Sequence, residues 1–532
     1  MPSARFQTST PSTLDAHERT LVRALDLVPA PTGGDGPGEH VLLDSFDGRL
    51  VRDGGIVVGR RAPDGWELRW TDLDRAEDRG LVRVERVDPV APSDLPRGPV
   101  AERLRRVLDI RALVPRARVH ERPRLWEKRD RRGKVVLRLR VVEGTTVAGE
   151  GSARPDPLPP CLHLIGLTGF ERQFAAARAQ VEALEDARPV PSPWAVEILE
   201  AGGVEPGRDP SSVDLHLRAD TPVPEALREI FGAYLGVIRA HREGARRALD
   251  PEFLHDFRVS VRRTRALLRG VKAALPATLH DRFREEFRWL ARQTSRARDL
   301  DVYLLDFDDF AARLAPADRP AMDPVRQWLE RETAREHARL AETLAGERVD
   351  TILDDWAAAI GSEAFGREPA KGDRTAGAFA ARVVDRAHRR VLRDGRAITA
   401  ASPDEALHDL RKRAKALRYL IDGFRGALDR KTVKKQIRHL KDLQDNLGRH
   451  QDRAVQVETL RHIADSLGEA PPATFMALGV LVEQLDRDRH ALRDEFAEHF
   501  EAYDAPKRRR AFERMLARAR EAEPRSERTG SA

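Results

Sequence analysis

The chain has 532 residues, 41% of them hydrophobic, and its 94 Lys and Arg stand against 87 Asp and Glu for a formal charge of +7. That length predicts two to four domains with ordinary cores, and a single cysteine, Cys161, excludes an internal disulfide framework and fits a reducing compartment. No run approaches the ~20 apolar residues that cross a bilayer, and the opening MPSARFQTSTPSTLDAHERT has no apolar leader-like stretch, so a cytoplasmic protein with no membrane partner is expected.

Residues 1–36 are rich in Ser, Thr, Pro and Gly around one short amphipathic stretch, 21–27, and read as a flexible tail. Strand patterns follow at 40–46, 55–61 and 66–71, separated by the turn pairs Asp47-Gly48, Asp53-Gly54 and Asp64-Gly65. Two more, 118–128 and 134–142, flank the turn Asp130-Arg131-Arg132-Gly133, and a short helix is expected at 194–201. Residues 37–200 therefore read as a small antiparallel α+β domain and 201–221 as a linker. Beyond Pro222 the period is helical, with breaks near Pro276, 316–324, 366–377 and Pro471-Pro472, which predicts an all-α domain over 222–522 and a disordered tail over 523–532.

The helical part repeats itself. Shifted by 153 residues, Leu254-His255-Asp256-Phe257-Arg258 falls on Leu407-His408-Asp409-Leu410-Arg411 without a gap. Arg262, Arg265, Gly270 and Lys272 fall on Lys415, Arg418, Gly423 and Arg425, and in both copies 44 residues separate the histidine from a final aspartate, Asp299 or Asp452. The predicted repeats run over about 222–370 and 371–522.

Wound at about 100° per residue, His255, Arg258, Arg262, Arg265, Arg269 and Lys272 share one stripe beside the apolar Phe257, Val261, Leu267, Leu268 and Val271. In the second copy His408, Arg411, Lys415, Arg418 and Arg425 form the same stripe, with Asp422 in place of Arg269. The following helix adds Arg284, Arg288, Arg292 and Arg296 at four-residue spacing, and the second copy adds Lys434, Arg438 and Lys441, with Arg449 further on. Local excess of one sign draws polyanions even when the total charge is modest. A solvated helix face is also commonly charged, but drift should scramble such a face between copies, and here most positions stay basic.

These residues resemble the CHAD family, the conserved-histidine α-helical domain, whose His-Asp-x-Arg-x-x-x-basic-x-x-Arg pattern stands twice, at His255 and His408. The resemblance implies two pseudo-symmetric helical bundles with basic helices facing each other across a central groove or pore, inorganic polyphosphate as the partner, and location at polyphosphate granules. A ladder of Arg and Lys repeating about every 5.4 Å suits such a chain, because each guanidinium fork can engage two phosphate oxygens. The histidines stay open between a structural hydrogen bond, a phosphate contact and a metal contact. Asp256 and Asp409, about 100° off the stripe, read as capping groups or partners in inter-helix ion pairs rather than as catalytic residues. No His-x-x-x-His pair accompanies either histidine and no nucleophile motif surrounds Cys161, so no cofactor, metal or catalytic residue is expected. Nucleic acid is not the expected partner, since aromatic residues are 5% of the chain and none lies on the stripes to stack bases.

Residues 40–200 are similar to a degenerate CYTH or triphosphate-tunnel domain, on Leu42-Leu43-Asp44-Ser45-Phe46, Gly48-Arg49-Leu50 and the Trp66 strand. The resemblance implies an antiparallel β tunnel or barrel. The family's Glu-x-Glu-x-Lys strand has no equivalent before His40, Val58 stands for the first arginine of an Arg-x-Arg strand that keeps Arg60, and Thr71 stands for a lysine. Arg122, Arg138 and Arg140 are expected to point inward by alternation. A metal-dependent triphosphatase is the rival reading, and it needs carboxylates to hold Mg²⁺ or Mn²⁺. The leading expectation is a non-catalytic polyphosphate binder in which charge reversal at Arg258 and Arg411 removes binding and leaves the fold intact.

Overall fold

The computed structural model describes residues 3–30, 38–73, 78–146, 157–190, 193–366 and 375–521. Two units divide the chain, Met1–Ser212 and Val213–Ala532, and the division falls inside the stretch read as a linker. Among the described residues no helix is long and apolar enough to cross a membrane. The tail expected at 523–532 and the repeat boundary near 370 lie outside the described residues.

Among the described residues the first unit is built on ten antiparallel strands: β1 (Ser3–Gln7), β2 (Val28–Pro29), β3 (Gly38–Ser45), β4 (Gly55–Ala62), β5 (Gly65–Asp72), β6 (Asp78–Val84), β7 (Leu113–Arg129), β8 (Val135–Thr146), β9 (Cys161–Gly166) and β10 (Arg188–Pro189). Their order is β10-β1-β9-β8-β7-β3-β4-β5-β6, with β2 beside β7, so the sheet is open at β10 and β6. Helices α1 (Pro11–Leu25), α2 (Arg49–Arg52), α3 (Pro99–Leu108), α4 (Glu171–Glu182) and α5 (Trp194–Ala201) complete it. Period-two alternation sorts the side chains. Val41, Val57, Leu68 and Trp70 pack under Leu104 and Leu108 of α3. Leu137, Leu139 and Leu162 pack under Leu14 and Leu21 of α1 and Phe174 of α4. The opposite face buries Leu42, Ile56 and Val119 against Ala195, Ile198 and Leu199 of α5.

The expected flexible tail is corrected over residues 3–30. β1 pairs with both β9 and β10, and α1 docks through Glu18, which accepts from Arg124 Nε at 2.8 Å and Trp126 Nε1 at 2.6 Å. The Thr-Pro-Ser composition that reads as loose is cap chemistry: the Thr10 hydroxyl accepts from the Thr13 amide at 3.2 Å and Pro11 opens the helix.

The second unit holds helices α6 (Val223–Arg246), α7 (Pro251–Gly270), α8 (Ala277–Gln293), α9 (Ser295–Leu305), α10 (Phe307–Ala312), α11 (Asp323–Ala345), α12 (Glu347–Gly361), α13 (Ala376–Arg396), α14 (Asp404–Gly423), α15 (Arg430–Ser466), α16 (Pro472–Asp494), α17 (Phe496–Tyr503) and α18 (Pro506–Arg520). The duplication survives in the elements: α6 and α13, α7 and α14, and α8 and α15 each begin 153 residues apart. One difference interrupts it. In the first copy the chain breaks at Thr294 and restarts as α9, whereas α15 runs on to Ser466. The Thr294 hydroxyl donates back to the carbonyls of Leu290 (3.2 Å) and Ala291 (3.1 Å), and the Ser295 hydroxyl to that of Ala291 (2.9 Å). Such back-bonding competes with the helical ladder. Leu447 and Gly448, at the same positions of the second copy, have no hydroxyl to do so.

Aromatic side chains tie helices together in each copy, α6, α8 and α12 in the first and α13 to the end of α14 in the second. Phe231, Phe283 and Phe287 gather on Trp356 in the first, and Phe379 meets Phe424 in the second. The copies join along α7 and α14, where Gly270 faces Leu420 so closely that an added Cβ would lie 2.5 Å from its Cδ2. That contact sets the two histidine-bearing helices side by side.

Candidate polyanion-binding surface

The amphipathic pattern of α7 is realised in full. Phe257, Val261, Leu267 and Leu268 are buried, His255, Arg258, Arg262 and Arg265 are half-buried, and Arg269 and Lys272 are exposed. On α14, Leu410, Leu417, Leu420 and Ile421 are buried, His408, Arg411, Lys415 and Arg418 half-buried, and Arg425 exposed. Because the helices lie side by side, the stripes merge. Lys415 is pushed down to about 8 by burial and then by Arg411 and Arg262, against the opposing pull of Asp452. Arg258 is pushed down to about 10, first by burial and then by Arg262, with Asp299 opposing. Arg265 is lowered by burial and by Arg269, Arg288 and Arg292. A single field of positive charge therefore spans both repeats.

Arg258 and Arg411 occupy equivalent positions and differ in how they are held. Nη1 of Arg258 donates to Thr294 Oγ1 at 2.8 Å, Ser295 Oγ at 3.2 Å and the Ala291 carbonyl at 3.2 Å. Nη2 of Arg411 donates to Asp452 at 3.2 Å. In both the Nε–H is buried without an acceptor, a state that buried donors rarely keep unless something else satisfies them. Nδ1 of His408 lies 2.5 Å from Oε1 of Gln451, and His255 sits half-buried beside its own stripe. Asp256 of α7 approaches Nε2 of His241 on α6 at 3.5 Å, Asp409 binds Lys412 within α14 at 2.6 Å, and the α7 cap is Asp250.

Not every expected basic residue joins the field. Arg284 and Arg288 both lean on Glu285, at 2.9 and 3.6 Å, although Arg288 stays near Arg265. Arg292 is exposed at the end of α8, and the break moves Arg296 onto α9. Lys272 lies near Asp281, Arg425 donates to the Val213 carbonyl at 3.0 Å, and Arg449 binds Glu495 at 3.2 Å. Lys434, Arg438 and Lys441 are exposed along α15, with Arg438 beside His439. Sequence reasoning missed Thr294 and Ser295; the only signal was their replacement by Leu447 and Gly448 in the second copy.

Residues 229–461 match the model of the CHAD domain family. The chain carries a CHAD domain. The matched segment runs from α6 into α15 and so contains both histidine-bearing helices. Among solved structures the chain is similar to the CHAD domain from the plant Ricinus communis, at 24% identity over 55% of this chain and 96% of that one, with a TM-score of 0.47. It is also similar to PptA from Streptomyces chartreusis, at 21% identity over 53% of this chain and 100% of that one, with a TM-score of 0.43. No curated protein matches the chain.

Outside the CHAD domain, the first unit has a cavity of about 420 Å³ lined by Arg5, His40, Arg60, Arg69, Arg140 and His163, with Val58 and Thr71 among the remaining walls. Its cations are largely matched within the unit. Glu121 accepts from Arg140 at 2.6 Å and from Trp194 Nε1 at 2.8 Å, and Glu197 accepts from Arg5 at 2.8 Å. His163 is pushed down to about 3 by burial and then by Arg5 and Arg140, which keeps its ring neutral. Of the three arginines expected inside, only Arg140 lines the cavity. Arg122 stands opposite Glu143 on the other sheet face, because the odd-numbered neighbours Val119 and Glu121 point inward; Arg138 shares the face of Arg140 but is exposed beyond the cavity. Among the described residues no three His, Cys, Asp or Glu side chains gather as a cation site would require.

Proposed function

We propose that the CHAD domain binds long-chain inorganic polyphosphate non-covalently through the surface shared by α7 and α14, without turning it over, and that this binding places the protein at polyphosphate granules. The observation that carries the reading is the merging of the two stripes at Arg262 and Lys415. Neighbouring like charges repel, so a surface that keeps Arg262 beside Lys415 is one relieved by a polyanion. Arginine forks supply donors to phosphate oxygens. Single-stranded nucleic acid offers a similar charge, but no aromatic residue stands on the stripes to stack a base.

The test is charge reversal in the intact protein. Arg262→Glu with Lys415→Glu should lower polyphosphate affinity by at least about 100-fold, since like charges juxtaposed with the ligand cost several kcal/mol. Circular dichroism and melting temperature should stay near wild type, because both side chains are half-buried and neither is in a hydrogen bond to the backbone. A folded double variant that binds as tightly as wild type contradicts the site. The first unit is read as non-catalytic, since Glu121 and Glu197 are engaged by Arg140 and Arg5 rather than grouped for a cation. Phosphate release from tripolyphosphate that depends on added Mg²⁺ or Mn²⁺ would overturn that reading in favour of a CYTH-type enzyme.

A further inference from the structure

The break between α8 and α9 makes the two halves of the basic surface unequal. At the break a cavity of about 100 Å³ is walled by Arg258, Arg262, Arg265 and Arg292 and floored by Thr294 and Ser295. Water occupies about 30 Å³ per molecule in the liquid, so this space suits one tetrahedral oxyanion rather than a length of chain. Three of those six positions change character in the second repeat: Arg292 becomes Asp445, Thr294 becomes Leu447 and Ser295 becomes Gly448. There α15 passes through unbroken, so the second repeat keeps a basic face without the hydroxyl floor that the break supplies in the first. The bare Nε–H of Arg258 is buried at the cup, as that of Arg411 is on the other face, so this donor is common to both repeats and the four-arginine wall is not.

An internal phosphoryl group of a linear polyphosphate has two free oxygens and one charge. A terminal group has three free oxygens and close to two charges near neutral pH, as a phosphate monoester does. We propose that the cup holds the terminal phosphoryl group of a polyphosphate chain, so that the first repeat anchors a chain end while the second carries the chain body; this rests on polyphosphate binding by the CHAD domain. Four arginines lining one small space match the extra oxygen and charge of a chain end. Thr294 and Ser295 hold Arg258 in place through its Nη1, which fixes the direction of its Nε–H. The duplication thus yields a polar receptor that gives the bound chain a direction.

The experiment compares long-chain polyphosphate with the same chain capped at both ends as phosphoramidates, which removes the terminal dianions and leaves the body unchanged. Wild-type protein should bind the uncapped chain about tenfold more tightly, a difference of roughly 1.4 kcal/mol. Arg292→Asp, an exposed change that the second repeat already carries as Asp445, should bring uncapped binding down to the capped level, and Ser295→Gly should shift it in the same direction. Equal binding of capped and uncapped chains by wild type, with polyphosphate still bound tightly, overturns the chain-end assignment alone. Absence of binding to either chain overturns it together with the reading on which it rests.

Discussion

Lys415 is the residue whose chemistry is most exposed to test. Its ammonium is already losing its proton at about 8, through burial and then the charges of Arg411 and Arg262. A bound polyanion favours the charged form, so binding takes up a proton and affinity is full well below pH 8 and falls as pH rises through it. Titration of affinity from about pH 7 to pH 9 should show a loss of roughly fivefold, and Lys415→Arg, which keeps its charge, should flatten the curve. A wild-type profile as flat as that of the variant would remove Lys415 from the site. Residue by residue, the stripes on α7 and α14 were legible because helical period fixes which side chains share a face. The environment of Arg258 was not legible. Reversing Arg258 was expected to leave the fold intact, yet its Nη1 ties the α8 carbonyl of Ala291 and both hydroxyls of the break, so Arg258→Glu should destabilise the protein as well as weaken binding. Arg262 and Lys415 are the cleaner pair for that reason.

Helix pairing fixes where those side chains stand. α6 and α7 meet with Gly244 against the ring of Phe253, which is 2% exposed, and a methyl group at Gly244 would overlap that ring. Alanine improves a helix interior by about 1 kcal/mol over glycine, whereas overpacking a core costs about 1–3 kcal/mol. The ring cannot yield here, so overpacking should win: Gly244→Ala is expected to lower unfolding free energy by about 1–2 kcal/mol in denaturant titration, and a stabilised variant would mean the contact is looser than described. The sequence showed where α7, α14 and α5 lie, since breaker residues and periodicity mark those boundaries. It did not show the α8–α9 break, because Thr294 and Ser295 are tolerated within helices and act only through back-bonding to Leu290 and Ala291. The ordering of residues 3–30 was hidden for a different reason: β1 has no stability of its own and exists by pairing with β9 and β10, which are far away in sequence.

At the scale of the whole molecule, a formal charge of +7 hides a strongly uneven distribution. In the first unit the cavity arginines Arg5 and Arg140 are matched by Glu197 and Glu121, while in the CHAD domain Arg265 lies beside Arg269, Arg288 and Arg292, and Lys415 beside Arg411 and Arg262. Non-covalent polyphosphate binding should therefore reside in the CHAD domain, and Arg60→Ala with Arg69→Ala in the cavity of the first unit should change the affinity of the intact protein by less than about twofold, as surface charges outside a binding site do. The central claim is tested most directly by titrating intact protein with long-chain polyphosphate and with length-matched duplex DNA over a range of salt concentrations, without added metal. The account predicts tight polyphosphate binding that weakens steeply as salt rises, through counterion release, and that exceeds DNA binding at every salt concentration; equal affinity for the two polyanions, or polyphosphate binding only when Mg²⁺ is supplied, would contradict it.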